Sequence, residues 1–156
     1  MKRGHTAESL FVLLLYGVFA LLSLFLVLTG AQVYRGAVRD AEANAEARAS
    51  LSYVANKVRA CDAVGGVVLD QRGGVDMLVL RETASDGAAF ETLIYFYEGE
   101  LRERFQAEGD GFDPAGGESL VELERFSVDE EDGMLVVSST GSDGRQRTLR
   151  LARRAE

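Results

Sequence analysis

From Leu10 to Leu28 the chain runs for nineteen residues without a formal charge. At ~1.5 Å of rise per residue, a helix of that length covers ~29 Å, close to the ~30 Å hydrocarbon thickness of a bilayer. Its Leu, Val and Phe residues lie all round rather than in a stripe, so the helix needs an apolar surround on every side. A short buried core helix and a secretory signal peptide are the alternatives. For the second, Lys2 and Arg3 form a basic tip, and Thr29-Gly30-Ala31 offers small residues for cleavage. The apolar run is longer than a signal core of ~7 to 15 residues, and Glu8 stands between tip and run; both favour a retained membrane helix.

Beyond the span, roughly 125 residues remain, enough for one domain with its own core. The chain has 156 residues, 17 basic and 25 acidic; without Lys2, Arg3 and Glu8 the balance is 15 against 24. So acidic a domain repels nucleic acid and anionic headgroups, and no nucleic-acid partner is expected. The one basic concentration is Arg145, Arg147, Arg150, Arg153 and Arg154. These read as solvent-facing strand residues, with a partner-binding edge as the alternative. Cys61 is alone, so no disulfide forms within the chain, and its place near a helix end suits a small buried hydrophobe.

From Ala31 to Cys61 an Ala-rich, proline-free stretch carries an apolar stripe through Val33, Ala37, Ala41 and Ala45, then Ala47, Leu51, Val54 and Val58. Charged residues including Arg39, Glu42, Glu46 and Arg48 lie opposite. This predicts an amphipathic continuation of the membrane helix. Unbroken from Glu8 to Arg59, such a helix is ~78 Å long, and Gly65-Gly66 ends it.

From Val67 the period changes to two, predicting strands at 67–70, 75–81, 90–97, 101–106, 120–128, 134–139 and 146–153. Phe90 to Tyr97 is apolar on both faces and belongs at the centre of a sheet. Glu98-Gly99 supplies a tight hairpin, after which Leu101 and Phe105 point inward and Arg102 and Arg104 outward. A parity slip between Leu123 and Phe126 suggests a bulge near Glu124 and Arg125. Short connections favour an antiparallel meander covered by the amphipathic helix. The expected fold is α+β: a long N-terminal transmembrane-plus-amphipathic helix packed on an antiparallel sheet. Its parts are a tip at 1–9, the span at 10–28, the amphipathic extension at 29–64 and the β domain at 65–156.

The residues offer little to catalysis. The sole histidine, His5, lies in the N-terminal tip, across the span from the folded domain. This removes a histidine-dependent nucleophile or zinc site from that domain. No phosphate loop, dinucleotide fingerprint or nucleophile elbow occurs. No enzymatic role and no cofactor is expected. Glu108, Asp110, Asp113 and Glu118 gather oxygens of the kind calcium takes, but without the EF-hand spacing; a solvated acidic loop is the simpler reading.

A basic tip ending in glycine, a carboxylate a few residues on, and an apolar helix continuing as an amphipathic one into a sheet: this order resembles type IV pilin-like proteins. It is most similar to the minor pseudopilins of competence, pilus and type II secretion machines. Lys2-Arg3-Gly4 resembles the leader that a prepilin peptidase removes after glycine, which places processing between Gly4 and His5. Glu8 resembles the carboxylate near the mature N-terminus. Leu51 to Asp62 with Tyr95 to Leu101 resemble the helix end and hairpin of such subunits. In that family the glutamate is usually fifth, whereas cutting after Gly4 makes Glu8 fourth; cutting after Arg3 makes it fifth but loses the preferred glycine, and a precursor left uncut is the remaining alternative.

The resemblance implies a structural subunit of the cytoplasmic membrane, N-terminus inside, with other pilin-like subunits, the prepilin peptidase and membrane lipid as partners. It also implies that Glu8 pairs with the N-terminal amine of a neighbouring subunit, which relieves the cost of a carboxylate at the lip of an apolar helix. The alternative is a membrane-anchored extracytoplasmic binding or sensing domain.

Overall fold

The computed structural model describes residues 3–61 and 65–152, with side chains from residue 8 onward. A single helix, α1, spans Arg3–Ala60. The sequence interrupts it with no proline, and Lys57 and Arg59 in its last turn complement the partial negative charge of the C-terminal carbonyls. The chain divides into compact units of residues 1–39 and 40–156. In the first, the described residues are all helical and every described side chain is exposed.

The second unit holds the rest of α1 and two antiparallel sheets. Strands β1 (Val67–Arg72), β2 (Val75–Thr83), β3 (Ala89–Tyr97), β4 (Glu100–Ala107) and β5 (Glu118–Glu122) form a five-stranded sheet in chain order, with β3 at its centre. Strands β6 (Arg125–Glu131), β7 (Met134–Thr140) and β8 (Gln146–Ala152) form a three-stranded sheet. The expected α+β class holds, but the single meander is two sheets.

The division falls at one peptide unit. Leu123 N–H donates to the Gly99 carbonyl at 2.8 Å, extending the first sheet, and Glu124 N–H donates to the Thr140 carbonyl at 2.9 Å, opening the second. Leu123 and Phe126 both point into the core although three residues apart. Their parity slip thus marks a change of sheet rather than the expected bulge; the irregularity itself lies between Leu101 and Arg102, against β5.

Hairpin turns fix the register. Glu98 and Gly99 have φ of 50° and 83°, and Asp132 and Gly133 have 52° and 74°. Both residues of each two-residue turn are left-handed, matching the twist of the flanking strands.

One core cluster joins α1 to both sheets. It includes Leu51, Val54 and Val58 from the helix, Leu78, Leu80 and Ile94 from the larger sheet, and Leu135, Val137 and Leu151 from the smaller. Covering each such side chain contributes ~1.5 to 3 kcal/mol. The helical stripe differs from expectation at its start. Val33, Ala37, Ala41 and Ala45 are exposed, and the buried face begins at Ala43 and continues through Ala47, Ser50, Leu51, Val54 and Val58 to Cys61. Gly141, which follows β7, lies against Ala43, so the cover begins there.

Candidate functional site

In the first unit the functional features lie along α1. Glu8 is exposed and helical, and Leu10 to Leu28 presents its large apolar side chains outward. The helix is long and apolar enough to cross a membrane, and none of its most apolar stretch is buried. Such a surface in water is unfavourable by ~25 cal/mol per Å² of apolar area, so lipid is its natural surround. Gly4 and His5, the expected processing residues, lie outside the residues whose side chains are described.

In the second unit, small residues bring the helix onto the smaller sheet. A Cβ at Gly141 would stand 2.8 Å from the Ala43 carbonyl oxygen, and the buried Ser139 hydroxyl donates to the Ala47 carbonyl at 3.1 Å. Arg147 reaches Asn44 Oδ1 at 3.1 Å through Nε and Asp143 at 2.7 Å through Nη2. The Arg147 guanidinium, with the Arg145 amide, lowers the Asp143 carboxyl to about 2. Arg150 lies 3.4 Å from Glu131, both exposed. Of the C-terminal arginines, then, Arg147 ties strand to helix instead of facing solvent. Arg153 and Arg154 lie outside the described residues.

Against the larger sheet the helix is held by polar groups. The Tyr53 hydroxyl and Lys57 Nζ both bond the Glu103 carboxylate, the latter at 2.6 Å. Burial, then the hydrogen bond to Glu103, raises the Tyr53 hydroxyl; the same carboxylate raises the Lys57 ammonium. Cys61 is buried as expected, and its thiol also donates to Glu82 at 3.0 Å. Burial and that carboxylate raise the thiol to about 11, which keeps it protonated and unreactive at neutral pH.

The other face of the larger sheet also has a cover. Met77, Val79, Leu93 and Tyr95 form a second cluster with Phe112, whose ring meets that of Tyr95 edge-on at 5.0 Å. The Tyr95 hydroxyl donates to the Pro114 carbonyl at 3.0 Å. Arg102 and Arg104, expected to face solvent, donate to carbonyls of Ala115 and Asp113 and hold this loop in place. Phe105, expected inward, is 61% exposed and stacks on Phe90 at 5.3 Å. It lies two residues past Glu103, the β4 residue bonded to the helix. The Asp113 carboxylate accepts from the Ala115 amide at 3.0 Å. Among the described residues no three or more His, Cys, Asp or Glu side chains gather as a metal site.

Beside this cluster, Glu91 is fully buried and grips Arg72 through two bonds, at 2.5 and 2.8 Å, while Gln106 donates to it at 2.8 Å. Arg72 above all, then Gln106, lowers its pKa below the ordinary 4.5. A depressed acid contributes stability that is fully present above its unfolded-state pKa and lost as pH falls through the folded value. We expect the stability difference between the parent protein and Glu91→Gln to be constant from pH 7 to about 5.5 and to shrink below about 4.5. Urea midpoints in detergent across that range measure it; a difference that does not change with pH would contradict the ion pair's role.

Sequence reasoning missed these groups because Glu91, Glu103 and Gln106 look like solvent-facing strand residues. The available signal was local: Phe90 to Tyr97 is apolar on both sides, so a charge within it needs a buried partner.

No curated protein and no solved structure matches this chain. The sequence profile of one family does, over residues 45–142, from the packed part of α1 to just past β7. That stretch is well over half of the chain, and the protein belongs to the family described as domain of unknown function DUF4860.

Proposed function

We propose that the protein is a minor pilin-like structural subunit, anchored by residues 10–28 in the cytoplasmic membrane with its N-terminus inside. It primes or joins the assembly of a pilus or pseudopilus and carries out no catalysis. The observation that carries this reading is that one helix, Arg3–Ala60, supplies both the uncovered apolar stretch and the packed stripe of the β-bearing unit. A subunit built so needs a partner for its apolar helix once out of lipid, and neighbouring copies of the same helix are the simplest. Glu8 at the lip of that stretch meets a neighbour's N-terminal amine, freed by prepilin peptidase cleavage after Gly4.

A second reading, a membrane-anchored extracytoplasmic binding or sensing domain, is favoured by a cleft of about 340 Å³ whose lining includes Glu46, Glu98, Glu122 and Glu124. Two measurements separate them. The intact mass of the protein from its host membranes should lack Met1 to Gly4, with His5 as the first residue. Glu8→Ala should reduce incorporation into the envelope assembly at least about tenfold, the loss of one charge-assisted contact in low dielectric, with membrane level unchanged. An uncut chain whose Glu8→Ala variant behaves like the parent would leave the anchored binding domain.

A further inference from the structure

We propose that the β8 edge of one copy adds to the β5 edge of another, joining the sheets of successive copies head to tail. Strand β5 pairs only with β4, and β8 only with β7, so each leaves an edge of backbone donors and acceptors outside any ladder among the described residues. The other two edges are less open. Strand β6 lies along β2 and β3, enclosing a small cavity of about 80 Å³ with Asp76, Met77 and Ile94. Strand β1 ends in Arg72, which is turned onto the sheet by Asp70 and Glu91.

Charge on the two open edges selects the partner. Strand β5 carries exposed Glu118 and Glu122, and the cleft beside it adds Glu46, Glu98 and Glu124. Strand β8 carries the exposed Arg150, and the exposed Arg145 just precedes it, whereas Arg147 is already held by Asp143 and Asn44. Charged side chains are the usual guard of an edge strand against self-pairing. Here the guards differ in sign: β5 repels β5 and β8 repels β8, but β8 attracts β5. Like-sign repulsion disfavours a two-fold dimer through matching edges, and opposite signs favour a heterologous contact, which repeats from copy to copy. Leu120 on β5, 37% exposed, and the half-buried Leu149 on β8 give the joined strands apolar surface to cover. Anchoring in one membrane raises the effective concentration of the edges.

This contact requires only two copies in a membrane, so it stands or falls separately from the pilus-subunit reading. The test uses full-length protein in lipid vesicles free of any assembly machinery. Copies carrying Leu120→Cys are mixed with differently tagged copies carrying Thr148→Cys and treated with a short bis-maleimide; Cys61, buried and protonated, gives the background. Mixed vesicles should yield cross-linked dimer at least about tenfold above vesicles holding either variant alone. Arg150→Glu in the Thr148→Cys copies should remove most of that product, and Glu122→Arg in the Leu120→Cys copies should restore it. The Arg150 pair with Glu131 is solvent-exposed, so its loss leaves the fold intact. No mixed product, equal product in mixed and single-variant vesicles, or no rescue by the reversed charge would each overturn the proposal.

Discussion

Replacing Tyr95 with alanine lowers the stability of the 40–156 unit by about 3 to 5 kcal/mol, the range for deleting a fully buried large aromatic side chain. Tyr95 is wholly buried on the sheet face away from α1. Its ring supports Phe112, and its hydroxyl fixes the Pro114 carbonyl. Gly117 packs so closely that a Cβ there would overlap the Tyr95 hydroxyl. Three anchors of the 107–117 loop thus converge on one residue, and truncation removes all of them while opening a cavity. Tyr95→Phe keeps the ring and loses one hydrogen bond, so it costs about 1 kcal/mol. Urea unfolding in mild detergent, followed by near-ultraviolet circular dichroism, ranks the two variants. The alanine variant should also become sensitive to protease within the loop. Equal midpoints for the two would show that the ring contributes little.

A second large effect is expected from adding one methyl group. Gly141→Ala places a Cβ 2.8 Å from the Ala43 carbonyl oxygen and 3.3 Å from Asp143. The first obstacle is helix backbone, which cannot move without shifting the neighbouring Ala47–Ser139 bond. Overpacking of this kind costs about 1 to 3 kcal/mol. Gly116→Ala makes the informative comparison. Its nearest obstacle is also close, at 2.9 Å, but is the far end of the Arg104 side chain, which can swing aside. Gly116→Ala should therefore cost less than Gly141→Ala, at most about the 1 kcal/mol of the long Arg104–Asp113 hydrogen bond that the movement gives up. If both substitutions cost the same, helix and sheet are not held at the close approach seen between Ala43 and Gly141.

These sites show what the sequence displays and what it conceals. The helix from the apolar run to Ala60, the Glu98-Gly99 hairpin and the central place of β3 were legible because each rests on local periodicity or backbone preference. The change of sheet between Leu123 and Glu124 was not, since a parity slip reads the same for a bulge as for a chain passing to another layer. Nor was the inward turn of Glu91 and Glu103. Each is satisfied by a partner 19 or 46 to 50 positions away; the doubly apolar Phe90 to Tyr97 signals that Glu91 needs one, but nothing within a strand says which residue it is. Phe105 failed for the converse reason: alternation assigns a side of the sheet, not how far the covering element extends along it. For Gly4, His5 and Glu8 the reading rests on the resemblance of the tip to a pilin leader.

The sharing of one core between α1 and both sheets also sets an order of events in time. Ala47 to Val58 leave the ribosome before any strand, and Leu151 of β8 well after them, yet all belong to one cluster. As it emerges the apolar stripe has no cover, and neither β hairpin set can close the core without it. Contacts so far apart in sequence form slowly. Leu78, Leu80 and Ile94 can cover part of that stripe as soon as β2 and β3 have followed it, but the rest of its apolar surface is covered only when β7 and β8 arrive. A ribosome stalled before Gln146 should leave a chain whose 40–60 segment is still open in part to chaperone capture even though the five-stranded sheet is already encoded.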